Sequence, residues 1–238
     1  MRNLRILVLI VAIVFLVAGC QIPANSGKPL AADSGADNGI ADLPAERIAE
    51  AAVSSLTHNY PMRIKGRFAD DSGAAVLTFD MVRNFSDGRG TVQVDGYSLE
   101  IIRLRGHDYA KADAAFWIAR GPAELQHSDA AARVGGKWVR GELYSSKLPV
   151  GRFLDFHDNL WEALANDTTF TKGERTVVNG VPAIACASGN AGTIYVATQG
   201  APNVIRTESP DGRAVIDYSE YGAPVTIEEP PADQVVDL

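Results

Sequence analysis

The feature of this chain that most constrains its fold and compartment is a charge-free apolar run near its start. Two positive charges, Arg2 and Arg5, come before the run, and no charged residue occurs from Ile6 to Cys20. A basic start followed by an apolar stretch of this length is typical of a secretory signal peptide. The run is shorter than the ~20 residues that a helix needs to cross a bilayer. We therefore expect export of the chain rather than a simple transmembrane anchor.

The end of the run resembles the lipobox of bacterial lipoproteins. Val17, Ala18 and Gly19 precede Cys20, and small residues before a cysteine let the backbone lie close in a peptidase cleft. The thiol is the nucleophile that takes a diacylglyceryl group as a thioether. We expect residues 1–19 to be removed as a signal peptide and Cys20 to carry the lipid. Two or three acyl chains on this cysteine would hold the protein stably on the outer face of the cell membrane.

Charge and cysteine content exclude several functions. The chain has 238 residues and a net charge of −7, and loss of the two basic residues of the leader makes the mature charge −9. Binding of nucleic acid depends on Lys and Arg, so an acidic protein argues against it, and also against electrostatic docking to a membrane. Once Cys20 is lipidated, Cys186 has no partner for an intramolecular disulfide. We expect Cys186 to be a small buried residue of a strand.

Composition divides the rest of the chain into a linker and one domain. Residues 20–42 comprise the lipidated cysteine and a segment rich in Ala, Gly, Ser, Asp and Asn, which is typical of a flexible linker. Residues 43–238 are expected to form a single α+β domain. Its first element is a helix of about four turns that ends before Asn59.

After this helix, periods of two and of 3.6 residues predict two groups of strands around a helical middle. The sheet has one dry and one wet face, and its simplest form is a single antiparallel sheet with helices on the dry face. The breaks at Asp87-Gly88, Asp95-Gly96 and Asn179-Gly180 indicate hairpins. The predicted strands are 62–69, 74–85, 90–95, 97–105, 107–112, 137–139, 168–178, 181–187, 192–198, 203–209, 213–219 and 225–228, and the predicted helices of the middle begin at Asp113 and cover 123–134 and 150–166.

The sequence contains no recognisable catalytic or metal-binding pattern. The four histidines are not spaced as metal ligands, and no nucleophile elbow, phosphate-binding loop or His-Glu-x-x-His motif occurs. We therefore expect a protein that is not an enzyme and has no metal or other cofactor. A hydrolase assembled from residues distant in sequence is a third hypothesis.

Several segments together resemble actinobacterial envelope lipoproteins of the LppX and LprG type. Besides the lipobox, the resemblance is carried by Tyr109–Trp117, Gly136–Val139, Thr193–Thr198 and Tyr221–Thr226. It extends over most of residues 62–238, and it departs from the pattern at Asn203-Val204-Ile205. The resemblance implies a LolA-like half-barrel, in which a curved antiparallel sheet carries helices over its concave face and encloses a cavity for acyl chains.

The resemblance also implies that the protein binds or carries a lipid or glycolipid without catalysis. Trp117, Phe153, Trp161 and Leu164 are the candidates for lining the cavity, although periodicity alone favours a solid core for each of them. The alternative function is a structural or protein-interaction module tethered at the cell envelope.

Overall fold

The computed structural model describes residues 35–69, 76–141, 166, 169–189 and 192–238. Within these ranges twelve strands form one sheet. The strands are β1 (Met62–Ala69), β2 (Val76–Asn84), β3 (Asp87–Val94), β4 (Tyr97–Leu104), β5 (His107–Lys111), β6 (Trp138–Arg140), β7 (Phe170–Val178), β8 (Val181–Ser188), β9 (Gly192–Ala197), β10 (Val204–Glu208), β11 (Ala214–Ser219) and β12 (Val235–Asp237).

The order of the strands joins two meanders into one open sheet. Strands β1 to β6 follow one another, as do β7 to β11, and the pairing of β1 with β11 connects the two groups. The neighbours are antiparallel except for β12, which lies parallel to β6. Strands β12 and β7 are the two edges, so the described sheet is not closed. The expected α+β architecture with one antiparallel-dominated, half-barrel sheet is confirmed.

Alternating side chains give this sheet one apolar face, here called the inner face. On β2, for example, Leu77, Phe79 and Met81 are buried, whereas Thr78 between them is exposed. The buried inner-face residues belong to one contiguous core. They include Ile64, Leu77, Phe79, Met81, Val92, Leu99, Ile101, Ala110, Val139, Ile184, Cys186, Ile194, Val196 and Ile216.

Three α-helices in the described ranges add their apolar sides to this core. Helix α1 (Ala45–His58) buries Ile48, Ala52 and Leu56 and contacts strands β7 to β10. Helices α2 (Ala114–Arg120) and α3 (Ser128–Val134) are two turns each and contact one another. The core therefore lies between the inner face and these helices.

The segment before α1 is held against the sheet, which shortens the predicted linker. Ile40 and Ala41 are buried, and residues Ile40–Asp42 form a 3₁₀ turn. The side chain of Asn38 donates to the carbonyls of Ala197 and Gly200. The prediction that residues 20–42 are linker throughout is wrong for its last six residues, because Asn and Asp side chains satisfy backbone groups here and fix the turn.

Other differences from the sequence prediction arise where local patterns do not decide the structure. The hairpin of β2 and β3 turns at Phe85-Ser86, not at Asp87-Gly88, since Asn84 pairs with Asp87. The predicted helix 123–134 is divided into a 3₁₀ turn, Ala123–Leu125, and α3. Residues 225–228 form no strand, and the sequence patterns do not predict β12. Nearly all of the predicted helix 150–166 lies outside the described residues.

Gly90 on β3 generates a prediction about the close approach of neighbouring strands. A Cβ atom there would lie 2.7 Å from the Cα and 2.6 Å from the Cγ of Met81. We expect Gly90→Ala to lower the free energy of unfolding by about 1–3 kcal/mol, since backbone has to shift to relieve the overlap. Gly35→Ala is the control, because a Cβ atom on Gly35 would meet nothing within 4 Å. Equal urea midpoints for the two variants would contradict this account of β2 and β3.

Candidate functional site

The inner face of the sheet and the helices on it form the candidate site. Of the four residues predicted to line a cavity, the structure places Trp117 in the same contiguous core as the inner-face residues. Phe153, Trp161 and Leu164 lie outside the described residues, as do Val17, Ala18, Gly19 and Cys20 of the predicted lipobox. The lining role of all four candidates stays a prediction.

Helix α2 positions Trp117 by a well-defined start and end. The Asp113 carboxylate accepts a hydrogen bond from the Phe116 backbone N–H at 2.7 Å, which is the usual N-cap interaction. At the other end, Gly121 N–H donates to the Trp117 carbonyl at 2.9 Å. Ile118 is exposed, so the helix turns Phe116 and Trp117 together into the core. Their rings are 5.2 Å apart with an edge-to-face angle of 74°.

The indole N–H of Trp117 is a buried donor to which the described residues offer no acceptor. The side chain is completely buried, and none of the residues that the structure describes accepts a hydrogen bond from Nε1. A buried donor left unsatisfied costs about 1–3 kcal/mol. Trp side chains in protein interiors usually find a partner for this group. The indole N–H of Trp117 is therefore a hydrogen-bond donor without a described acceptor, and it lies within the apolar core.

Ser55 and Tyr221, two other polar residues that contact the core, have hydrogen-bond partners within the protein. The Tyr221 hydroxyl donates to the Val204 carbonyl at 2.6 Å, and the Ser55 hydroxyl accepts from the Val204 N–H at 2.9 Å. Burial raises the pKa of Tyr218 well above its usual range, and a hydrogen bond with Thr207 opposes that shift. Burial also raises the pKa of Tyr221. Both tyrosines are therefore neutral hydrogen-bonding groups at ordinary pH.

One end of the inner face carries charged residues. Arg103 on β4 and Asp108 on β5 face each other and form a bidentate pair, with N–O distances of 2.6 and 2.9 Å. Arg83 on β2 is also buried, and its Nη2 donates to the Phe85 carbonyl at 3.0 Å. Buried charges are tolerated where hydrogen bonds compensate for lost hydration. The inner face is thus apolar along its length and ionic at this end.

Cys186 is the core residue that the sequence predicted. It is fully buried on β8, and its Sγ lies 3.6 Å from the Ala45 carbonyl. Burial, with a smaller contribution from the Glu46 carboxylate, raises the pKa of the thiol to about 11. A raised pKa lowers the thiolate fraction at neutral pH, so this cysteine is a poor nucleophile.

The opposite, outer face carries ion pairs on β1, β2, β10 and β11. Arg63 binds Asp80 through two hydrogen bonds of 2.8 Å, and Lys65 approaches the same carboxylate at 3.1 Å. The Arg63 side chain therefore holds the pKa of Asp80 below its usual range. Arg206 and Asp217 make a similar pair on β10 and β11. The charged part of this face does not suit an acyl chain.

Three clefts among the described residues have charged side chains in their linings. One of about 420 Å³ lies over β1 to β4 beside Trp138, and one of about 500 Å³ lies between Lys65 and Arg206. The third, of about 730 Å³, is lined by both the Arg103–Asp108 and the Arg140–Asp237 pairs. Among the described residues no three acidic, histidine or cysteine side chains are grouped as metal ligands, and no helix has the length and hydropathy of a membrane span.

Comparison with known proteins relates this fold to a mycobacterial protein of known structure. No family model matches the sequence, and no curated protein matches it either. The crystal structure of LprF from Mycobacterium bovis is similar, with a TM-score of 0.51 over 78% of this chain and 96% of that chain. The two sequences are 15% identical over the match. The chain thus has an LppX/LprG-type half-barrel fold.

Two ion pairs of similar geometry generate a prediction about stability. The side chains of Asp108 and Arg103 are 8% and 13% exposed, whereas those of Asp237 and Arg140 are 65% and 41% exposed. We expect Asp108→Ala to cost about 3 kcal/mol of unfolding free energy, because Arg103 is left buried without its carboxylate. Asp237→Ala is the control and should cost less than ~1 kcal/mol.

Urea unfolding of these variants and of Arg103→Met/Asp108→Leu completes the test. The double variant removes both charges, so it should regain most of the stability that Asp108→Ala loses. A double variant no more stable than Asp108→Ala would show that the cost does not come from an uncompensated charge.

Proposed function

We propose that this LppX/LprG-type half-barrel belongs to an exported, lipid-anchored envelope protein that binds or carries a lipid or glycolipid against its inner face. The protein acts as a carrier and performs no reaction. The observation that carries the proposal is the contrast between the two faces of the sheet. The inner face offers a continuous apolar surface beneath helices. The outer face carries ion pairs such as Arg63–Asp80 and Arg206–Asp217, and its apolar cluster of Val178, Ala183, Ala197 and Ile205 is small.

The inner face is suited to acyl chains for a simple energetic reason. Each methylene removed from water contributes ~0.8 kcal/mol, so long chains favour an extended apolar surface over a small pocket. The aliphatic and aromatic side chains of β1 to β6 and of β8 to β11 supply such a surface.

The proposed membrane anchor does not depend on charge. A thioether-linked lipid on Cys20 would hold an acidic protein at the membrane surface without any need for a basic patch. The domain contacts described by the structure begin at Asp37. Residues 21–238 therefore retain all of these contacts when the leader and the lipidated cysteine are removed.

If the protein carries lipid, it should retain a bound lipid when it is purified from a related host. We expect residues 21–238, purified without detergent from an actinobacterial host, to show a mass above that of the polypeptide by native mass spectrometry. Denaturation should release acyl lipid that chromatography and mass spectrometry identify. The same protein refolded after lipid extraction is the control, and it should bind added diacyl lipid.

The proposal of lipid carriage would be refuted if the purified protein contained no lipid and also failed to bind added lipid after refolding. In that case reproducible cross-linking to one envelope protein would support the alternative of a tethered interaction module.

Anchoring is tested with the two cysteines of the full chain. We expect Cys20→Ala to abolish incorporation of an alkyne-labelled fatty acid and to move the protein from the detergent phase to the aqueous phase on detergent partition. Cys186→Ala is the matched control, because Cys186 is buried in the core and should not carry lipid. Labelling that persists in Cys20→Ala would contradict the proposed anchor.

A further inference from the structure

The unsatisfied indole N–H of Trp117 restricts the chemistry of the ligand. It is a single donor, completely buried, in the same core as the apolar inner-face side chains. A hydrocarbon chain cannot accept a hydrogen bond, and an ether oxygen is a weaker acceptor than a carbonyl oxygen. An acyl ester supplies a carbonyl at the junction between its chain and its head group.

We infer that Trp117 Nε1–H donates a hydrogen bond to an ester carbonyl of the bound lipid, which makes this residue a determinant of specificity for acyl esters. The inference rests on the proposed lipid-binding function. It names the ligand class as ester-linked acyl lipids, as distinct from ether lipids and hydrocarbons.

A lipid carbonyl makes smaller demands on this site than a buried water molecule would. A buried water needs two to four polar partners, and the indole of Trp117 supplies one. The ring in described contact with the indole is the apolar ring of Phe116. A carbonyl oxygen needs one donor, and the acyl chain attached to it fits the apolar surroundings.

The position of Trp117 is also fixed well enough to discriminate between ligands. The Asp113 carboxylate accepts from the Phe116 N–H at the start of its short helix, and the Gly121 N–H donates to the Trp117 carbonyl at the end. The edge-to-face contact with Phe116, which in turn contacts Tyr97 edge-on, limits rotation of the ring. An N–H group held in this way distinguishes lipids by whether they place an acceptor atom opposite it. The apolar area of the lipid does not enter into this distinction.

The test compares two lipids that differ in one group. Residues 21–238, freed of lipid, are titrated with a diacyl glycerolipid and with the dialkyl ether of the same chain length. We expect the wild-type protein to bind the ester about tenfold more tightly than the ether, as one buried neutral hydrogen bond allows. Trp117→Phe should bind the two lipids equally, because it keeps an aromatic ring and loses the N–H.

Trp138→Phe is the matched control and should keep the preference for the ester. Trp138 lies on β6 outside the inner-face core, with Lys111 over its ring at 5.6 Å from the ring centre. A direct readout is the indole ¹H–¹⁵N resonance of Trp117, assigned by its loss in Trp117→Phe. It should shift when the ester lipid binds and stay in place when the ether lipid binds.

The outcomes separate this inference from the proposed function. Equal affinity of the wild-type protein for ester and ether lipids would overturn the role of Trp117 while leaving lipid binding intact. An indole resonance that the ester lipid does not move would do the same. Failure to bind either lipid would refute the proposed function itself.

Discussion

A wide sheet with one apolar face is stable in water only when that face is covered, and this requirement organises the described structure. Burial of one large aliphatic or aromatic side chain contributes about 1.5–3 kcal/mol, and the inner face buries many of them. Helix α1 contributes Ile48, Ala52 and Leu56 to the cover over β7 to β10, and α2 contributes Phe116 and Trp117. Gly66 and Gly90 let the side chains of Phe79 and Met81 lie close over the neighbouring strands.

The same requirement explains why polar groups within this layer are informative. Ser55, Tyr221 and Thr207 have partners supplied by the protein, and Arg103 faces Asp108. These groups are structural, because the fold itself satisfies them. The N–H of Trp117 differs, since the fold places it in the core and the described residues offer it no acceptor. A buried donor of this kind fits an acyl ester, which supplies an acceptor, better than it fits a bare hydrocarbon.

Local sequence patterns predict most of the sheet, because hairpin turns are encoded by neighbouring residues. Asp95-Gly96 and Asn179-Gly180 adopt the positive φ angles that two-residue turns need, and the strands beside them begin and end within a few residues of prediction. Phe85 also has a positive φ of 55°, which its residue type does not favour, so the sequence places that turn two residues too late. Strand β12 escapes prediction because its partner β6 lies about 97 residues away. The unsatisfied donor of Trp117 depends on tertiary contacts, so no sequence pattern indicates it.

The central claim, that acyl chains lie against the inner face, is tested most directly by photo-cross-linking. A fatty-acyl lipid with a diazirine in its chain is bound to residues 21–238, irradiated, and the labelled peptides are mapped by mass spectrometry. We expect labels on inner-face positions such as Leu99 and Ile101 on β4 and on the α2 peptide that contains Trp117. Labels confined to the outer-face positions Thr91, Gln93 and Ser98, with none on the inner face, would contradict the claim.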